Sequence, residues 1–470
     1  MPERSYTYYD FTLSICSTCL RRVDAKIIFG DGNVFMLKNC VEHGFEKVLI
    51  ATDIEYYKNI RNYNKPGEIP LQFNTKTHFG CPYDCGLCQD HEQHSCLTVL
   101  EITDRCNLSC PTCYAMSSPH YGRHRTIEEV EKMLDIIVAN EGEPDVVQIS
   151  GGEPTIHPDF FAILDIAKKK PIKHLMVNTN GIRIAKDFEF AKQLSTYAPD
   201  FEIYLQFDSF KPEALKHLRG KDLTDVRTKA LEHLNKLNLS TTLVVTLQKG
   251  LNDDEIGKII EFALQQPCVR GVTFQPTQVA GRTENFNTLT DRLTLTEVRQ
   301  NILNQTNIFS ANDLIPVPCN PDALAMGYAL KLNGNIFPMT RYIDPAALLD
   351  KSRNTIVYEQ DLALHKQLID IFSTGISVDK VTDNFNQLLC CLPNIKAPGL
   401  TYNNLFRIII MRFIDAYDFD VRAIKKSCVH IVHKDGRIIP FETMNLFYRD
   451  EKEVHLKELQ QERAAVLSSV

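Results

Sequence analysis

From Leu97 onward the chain alternates short, β-rich apolar runs with stretches of helical period. The runs are LTVLEIT (97–103), DVVQIS (145–150), KHLMVNT (173–179), FEIYLQFDS (201–209), STTLVVTL (240–247) and VRGVTFQPT (269–277). Each has strand length and is rich in β-branched and aromatic residues. Between them the pattern predicts helices near 126–140, 158–170, 186–196, 223–238 and 253–266. Strands alternating with helices in this way are the mark of βα units around a parallel sheet. The fold expected is α/β, a partial (β/α)6 TIM-like barrel with its functional groups at the carboxyl ends of the strands.

The barrel is expected to occupy residues 97–290. Before it come a small lobe, 1–72, with turn-like GDGN at 30–33, and a cysteine-rich loop, 73–96. After it, 291–470 reads as an α+β extension: a strand pair around 330–339, helical segments at 357–375 and 402–417, and a hairpin-like HIVHKDGRIIPF ending at 441. The charged tail, DEKEVHLKELQQERAAV, is read as a solvated helix. The apolar run LFRIIIMRFI (405–414) is read as core, being too short to engage a bilayer.

Composition narrows the function classes. With 470 residues the chain is too large for a single small binding module, and a net charge of −7 gives no bias toward polyanions, so nucleic acid is not expected as a partner. No apolar run reaches the roughly 20 residues of a membrane span, and the start, MPERSYTYYDFTLSIC, lacks a secretory pattern. A cytoplasmic location is expected. There the 15 cysteines call for metal rather than disulfides, because thiols are kept reduced.

Three cysteine groups carry the chemistry. Cys106, Cys110 and Cys113 form a C-x3-C-x2-C motif directly after the first barrel strand. Three thiolates on one loop bind three irons of a cubane and leave the fourth iron for an outside ligand; a closed zinc site is the plainer alternative. The next strand ends in Gly151-Gly152-Glu153-Pro154, where glycines let a ligand approach the backbone and the carboxylate can accept hydrogen bonds from an ammonium. A second C-x3-C-x2-C, Cys81, Cys85 and Cys88, with Cys96 as nearest fourth ligand and Cys319, Cys390, Cys391 and Cys428 more distant, reads as an auxiliary [4Fe–4S] site. The nearby His91 and His94 are read as solvated rather than ligating. Cys16 and Cys19, paired across a hairpin-like stretch with Cys40 and His43, can surround zinc or a mononuclear iron tetrahedrally. Cys268 is read as a small buried hydrophobe.

CNLSCPTCYA, SGGEPT, the N-terminal knuckle, the tandem C-x3-C-x2-C motifs and FIDAYDFDVRAIKKSCVHIVHKDGRIIPF together resemble the radical S-adenosylmethionine (SAM) superfamily. The likeness is to the branch holding the archaeal tetraether lipid synthase and the 7,8-dihydro-6-hydroxymethylpterin dimethyltransferase. The resemblance implies that a [4Fe–4S] cluster on Cys106, Cys110 and Cys113 cleaves SAM reductively to a 5′-deoxyadenosyl radical. It also implies SAM contacts from Gly151, Gly152, Glu153, Asn180, Gln206 and Asp208, whose plainer reading is turn and capping chemistry. Thr112 stands where relatives carry an aromatic residue, with Tyr114 following. Relatives also tend to show further cysteines where this chain has Asp322 or Ala323 and Glu442-Thr443-Met444.

The activity so implied is functionalisation of an unactivated carbon, by C-methylation or C–C bond formation, on a small molecule or lipid. An electron donor such as flavodoxin or ferredoxin is its expected partner. The alternatives are a radical SAM maturase of a peptide or protein and a non-catalytic zinc scaffold.

Overall fold

The structure is a computed structural model that describes residues 4–64, 67–332, 335–341, 404–449 and 452–468. Four strands, β1 (Thr7–Ile15), β2 (Arg22–Gly30), β3 (Asn33–Cys40) and β4 (Gly44–Ala51), form an antiparallel sheet in sequential order. Asp31 and Gly32 take left-handed φ in the β2–β3 turn, as a two-residue hairpin loop requires. The other two loops, at the opposite end of this sheet, carry Cys16 with Cys19 and Cys40 with His43.

The main sheet contains β5 (Leu97–Thr103), β6 (Val146–Gly151), β7 (His174–Thr179), β8 (Phe201–Gln206), β9 (Thr241–Leu247) and β10 (Val269–Pro276). Each is parallel to the next. The connecting helices are α1 (Ile127–Glu141), α2 (Phe160–Lys169), α3 (Phe188–Ser195), α4 (Pro212–Arg219), α5 (Thr224–Leu237) and α6 (Ile256–Gln265). Five match the expected segments; α4 was not foreseen. It begins with proline in its first turn and stops at Gly220 in the left-handed conformation. Helices cover the outer face of the strands, so Ile102, Ile149, Val177, Ile203 and Val245 are wholly buried in one core.

The parallel array is completed from the far end of the chain. β11 (Leu324–Leu332) pairs antiparallel with β12 (Leu405–Met411), which runs parallel to β10. β13 (Val429–Val432) runs parallel to β5 and turns back through β14 (Ile438–Pro440), the hairpin expected there. Eight parallel strands therefore run from β13 round to β12, two more than the six expected. The helix expected at 402–417 is corrected: its middle, Leu405–Met411, is β12. Three consecutive isoleucines, Ile408–Ile410, favour extended backbone, and β12 lies between two neighbouring strands. As expected, this run is core. Within it Arg407, 2% exposed, reaches Glu202 of β8 at 2.8 Å.

The tail forms α7 (Lys452–Ser468). It is not wholly solvated: Leu456 and Leu459 are buried, and Arg21 of the N-terminal sheet donates to Glu462 at 2.8 Å. Among the described residues no helix is long and apolar enough to cross a membrane. Cys390, Cys391 and the helix expected at 357–375 lie outside the described residues.

Candidate active site and metal centres

The loop after β5 presents Cys106, Cys110 and Cys113 at the carboxyl end of the barrel. Leu108, between the first two cysteines, is 2% exposed and packs on Leu215 and Leu223, which anchors the loop from below. The backbone N–H of Leu108 donates to Cys106 Sγ at 3.4 Å. From the other side Arg282 donates to the carbonyl oxygens of Cys110, at 2.6 Å, and Ser117, at 2.8 Å. Burial pushes the Cys106 thiol up to about 12, with Glu153 adding to it, and burial also raises Cys110. Buried thiols held this way become thiolates when a cation offsets the loss of water.

The end of β6 explains the glycine pair. Gly152 N–H donates to the Thr103 carbonyl at 2.8 Å and Glu153 N–H to that of Arg105 at 2.9 Å. A Cβ on Gly151 would stand 2.1 Å from the Thr103 oxygen, and one on Gly152 2.2 Å from the Arg105 oxygen. The pair thus locks the start of the cysteine loop to the neighbouring strand while lining the cavity.

That cavity, about 150 Å³, lies between the cysteine loop and the C-terminal strands. Gly151, Gly152, Asn180 and Gln206 all line it. Asn180 also donates to Asn107 of the cysteine loop at 2.7 Å. Glu153 and Asp208 lie behind that wall rather than on it. Glu153 is 1% exposed and accepts from Thr155, Thr179 Oγ1 at 2.7 Å and Asn180 N at 2.8 Å, so it ties β6 to β7. Asp208 is fully buried and binds Arg219 and Arg227.

Sequence reasoning missed Arg219, which lines the cavity at the end of α4. It also missed the far wall, where Met411, Phe413 and Phe441 come from the C-terminal segment and the two phenylalanine rings stack at 4.0 Å. Tyr114 packs half-buried there against Phe441, with Arg449 over its ring at 5.2 Å. Only Tyr114 carried a signal, its place directly after Cys113.

These residues fit a cubane with one iron left for a chelating ligand. Three thiols come from one loop, the glycine pair admits no side chain, and Asn178 Oδ1 on the cavity wall is buried without a hydrogen-bond partner.

The N-terminal knuckle is more compact. Cys16, Cys19, Cys40 and His43 bring their ligand atoms within 4.8 Å of one another. Cys19 and Cys40 sulfurs are 3.8 Å apart, and Cys40 Sγ is 3.6 Å from His43 Nδ1. A tetrahedral zinc with bonds of about 2.3 Å to sulfur and 2.0–2.1 Å to nitrogen gives edges of about 3.8 and 3.6 Å. The match supports a single ion.

The auxiliary group is rearranged. Cys81, Cys85 and Cys88 stay together on their loop, which Asp84 braces by accepting from His78 N at 2.6 Å and Gly80 N at 3.0 Å. Cys96 does not join them; it lies within 4.8 Å of Cys319 and Cys428. The chain turns inward after Cys88 to begin β5, which carries Cys96 to the amino-terminal end of the barrel. His91 and His94 are 6% and 8% exposed, so the expectation of solvated rings is also corrected. Cys268 is fully buried beside β10, as expected of a small hydrophobe.

A profile of the radical SAM superfamily matches residues 100–263, and one of the HMPTM N-terminal zinc ribbon domain matches residues 8–52. The chain is 31% identical over 482 aligned positions to the 7,8-dihydro-6-hydroxymethylpterin dimethyltransferase of Methanocaldococcus jannaschii, covering 94% of each chain. It is 33% identical to a probable GTP 3′,8-cyclase of Thermococcus kodakarensis, over 35% of this chain and 52% of that one. Among solved structures, SuiB of Streptococcus suis aligns over 63% of this chain and 67% of its own, with 14% identity and a TM-score of 0.38.

Proposed function

We propose, from the premise that this chain belongs to the radical SAM superfamily in the branch of the 7,8-dihydro-6-hydroxymethylpterin dimethyltransferase, that it functionalises an unactivated carbon of a small molecule or lipid by C-methylation or C–C bond formation. The observation that supports this best is the placing of three thiols, two of them buried, a side-chain-free glycine pair and a cavity of about 150 Å³ at one end of the barrel. Family membership makes the protein an enzyme that uses a [4Fe–4S] cluster and SAM and needs a reductant. Flavodoxin or ferredoxin fits that last role.

When bound, these groups supply one-electron reductive cleavage of a carbon–sulfur bond and, through it, hydrogen abstraction from carbon. The chain holds and orients them. Cys106, Cys110 and Cys113 are the cluster ligands, fixed by Leu108 and Arg282. Gly151 and Gly152 let the amino-acid part of SAM lie against backbone. Asn178, Asn180 and Gln206 offer hydrogen-bonding groups along the wall, and Arg219, aimed by Asp208, offers a fixed cation to a carboxylate. Glu153 and Asp208 are positioning residues. Met411, Phe413 and Phe441 close the substrate side with apolar surface, which keeps water from a reactive carbon centre. Residues 1–72 serve as a zinc or rubredoxin-like knuckle lobe, 73–96 as the auxiliary cluster loop, 97–290 as the radical SAM partial barrel and 291–470 as a C-terminal extension.

The test is anaerobic reconstitution, then incubation with SAM and dithionite and measurement of 5′-deoxyadenosine. Wild type should form it, and a Cys106→Ala/Cys110→Ala/Cys113→Ala variant should not. Wild type that binds zinc alone and never cleaves SAM would defeat the reading.

A further inference from the structure

At the amino-terminal ends of β5 and β13, beneath the cavity of the cysteine loop, three thiols converge from distant parts of the chain. Cys96 immediately precedes β5, Cys428 immediately precedes β13, and Cys319 leads into β11. All three Sγ atoms lie within 4.8 Å of one another, with Cys319 and Cys428 3.4 Å apart. Cys96 and Cys428 are buried, and the three border a small cavity of about 60 Å³, enough for an ion.

A histidine, His94, stands next to Cys96, just outside the group of three converging sulfurs. His94 Nε2 is 3.5 Å from Cys96 Sγ, close to the sulfur–nitrogen edge of about 3.6 Å expected around one zinc. Its other nitrogen, Nδ1, is 2.9 Å from the buried carboxylate of Glu141. A carboxylate on Nδ1 fixes the tautomer and leaves Nε2 to bind metal. Nε2 also faces Glu68 at 3.4 Å and Asp145 at 3.8 Å, carboxylates that the ring exchanges for the ion when metal binds.

The spacing discriminates between metals. A cubane puts each thiolate on its own iron and spreads the sulfurs well beyond what one shared ion allows, whereas this trio, like the knuckle at Cys16, Cys19, Cys40 and His43, falls within 4.8 Å. Asp322, two residues upstream of β11, is engaged elsewhere, accepting from Arg61 at 2.8 Å. We propose that Cys96, Cys319, Cys428 and His94 bind a single zinc ion in a closed tetrahedral site that fastens the seam of the barrel. Three thiolates and an imidazole form a ligand set that zinc takes in structural sites. The fastening follows from where the ligands sit. Cys96 and Cys428 lie at the β5–β13 edge of the parallel array, and Cys319 leads into the strand that pairs with β12 at its other edge. One ion therefore joins both edges.

The experiment counts zinc and iron per chain by mass spectrometry in anaerobically reconstituted full-length protein, comparing wild type with Cys319→Ser. One zinc should be lost in the variant, with iron unchanged. Unchanged zinc, or a fall in iron, overturns the proposal. If Cys319→Ser does not fold, wild-type crystals decide the matter by anomalous scattering. A peak among Cys96, Cys319 and Cys428 that is present above the zinc edge and absent between the iron and zinc edges supports the site. No peak, or one that persists between those edges, overturns it.

Discussion

Asp208 and Arg219 meet at two points, Nε to Oδ2 at 2.9 Å and Nη2 to Oδ1 at 2.7 Å, so that a carboxylate sealed from solvent aims a guanidinium into the cavity proposed to hold SAM. Burial alone would raise the pKa of Asp208, yet Arg219 and Arg227 pull it down to about 2. Asp208→Asn should leave two buried guanidiniums short of counter-charge and cost about 3–5 kcal/mol in chemical denaturation. SAM affinity, read by calorimetry on protein with its full iron content, should fall as well. Undiminished affinity would show that Arg219 does not hold SAM.

The glycine pair gives a second prediction. In Gly152→Ala the new Cβ meets the Arg105 carbonyl at 2.2 Å, and backbone rather than a flexible side chain must give way. A displacement of about 1 Å at the cysteine loop should lower the rate of 5′-deoxyadenosine formation about 100-fold. Far-ultraviolet circular dichroism should stay unchanged. A variant with wild-type turnover would mean that the loop tolerates the shift.

Arg407 offers a test of the completed barrel. Arg407→Met leaves Glu202, fully buried on β8, without its 2.8 Å guanidinium partner. The single variant should lose about 3–5 kcal/mol of stability, while Glu202→Gln/Arg407→Met should recover much of it. A double variant no better than the single would show that the pair is not a unit.

Lys331 supplies a pH dependence. Its Nζ donates to the Val269 carbonyl at 2.8 Å, and burial, with Arg270 nearby, lowers its pKa to about 8. The unfolded chain therefore binds this proton more tightly than the folded one, and the folded state gains stability as pH rises from about 8 toward 10.5. Lys331→Met removes that slope. Its denaturation midpoint should exceed wild type at pH 7 by more than at pH 10; an equal offset at both would refute the assignment.

The six strands that run to the cysteine loop's end of the barrel were legible because each is a short apolar run buried on both faces. The cysteine loop and glycine pair were legible because they are local. What escaped notice depends on distant partners. Nothing around Leu405–Met411 tells a buried strand from a buried helix until β10 and β11 lie on either side. Asp208 and Glu153 sit where cofactor contacts were expected, yet only the arginines of α4 and α5, or Thr155 and Thr179, show that their oxygens are already taken. Cys96 follows Cys88 closely in sequence, but its companions Cys319 and Cys428 are set by sheet topology, which spacing does not report.

Both outer strands of the parallel array, β12 and β13, come from residues 405–432. During synthesis the ribosome must release most of the chain before the parallel array is complete. Until then β5 and β10 are raw edges with unpaired backbone, the kind of template that recruits other chains. A copy cut short before residue 405 is thus an aggregation hazard rather than a smaller enzyme, and slow translation of the last quarter prolongs the exposure.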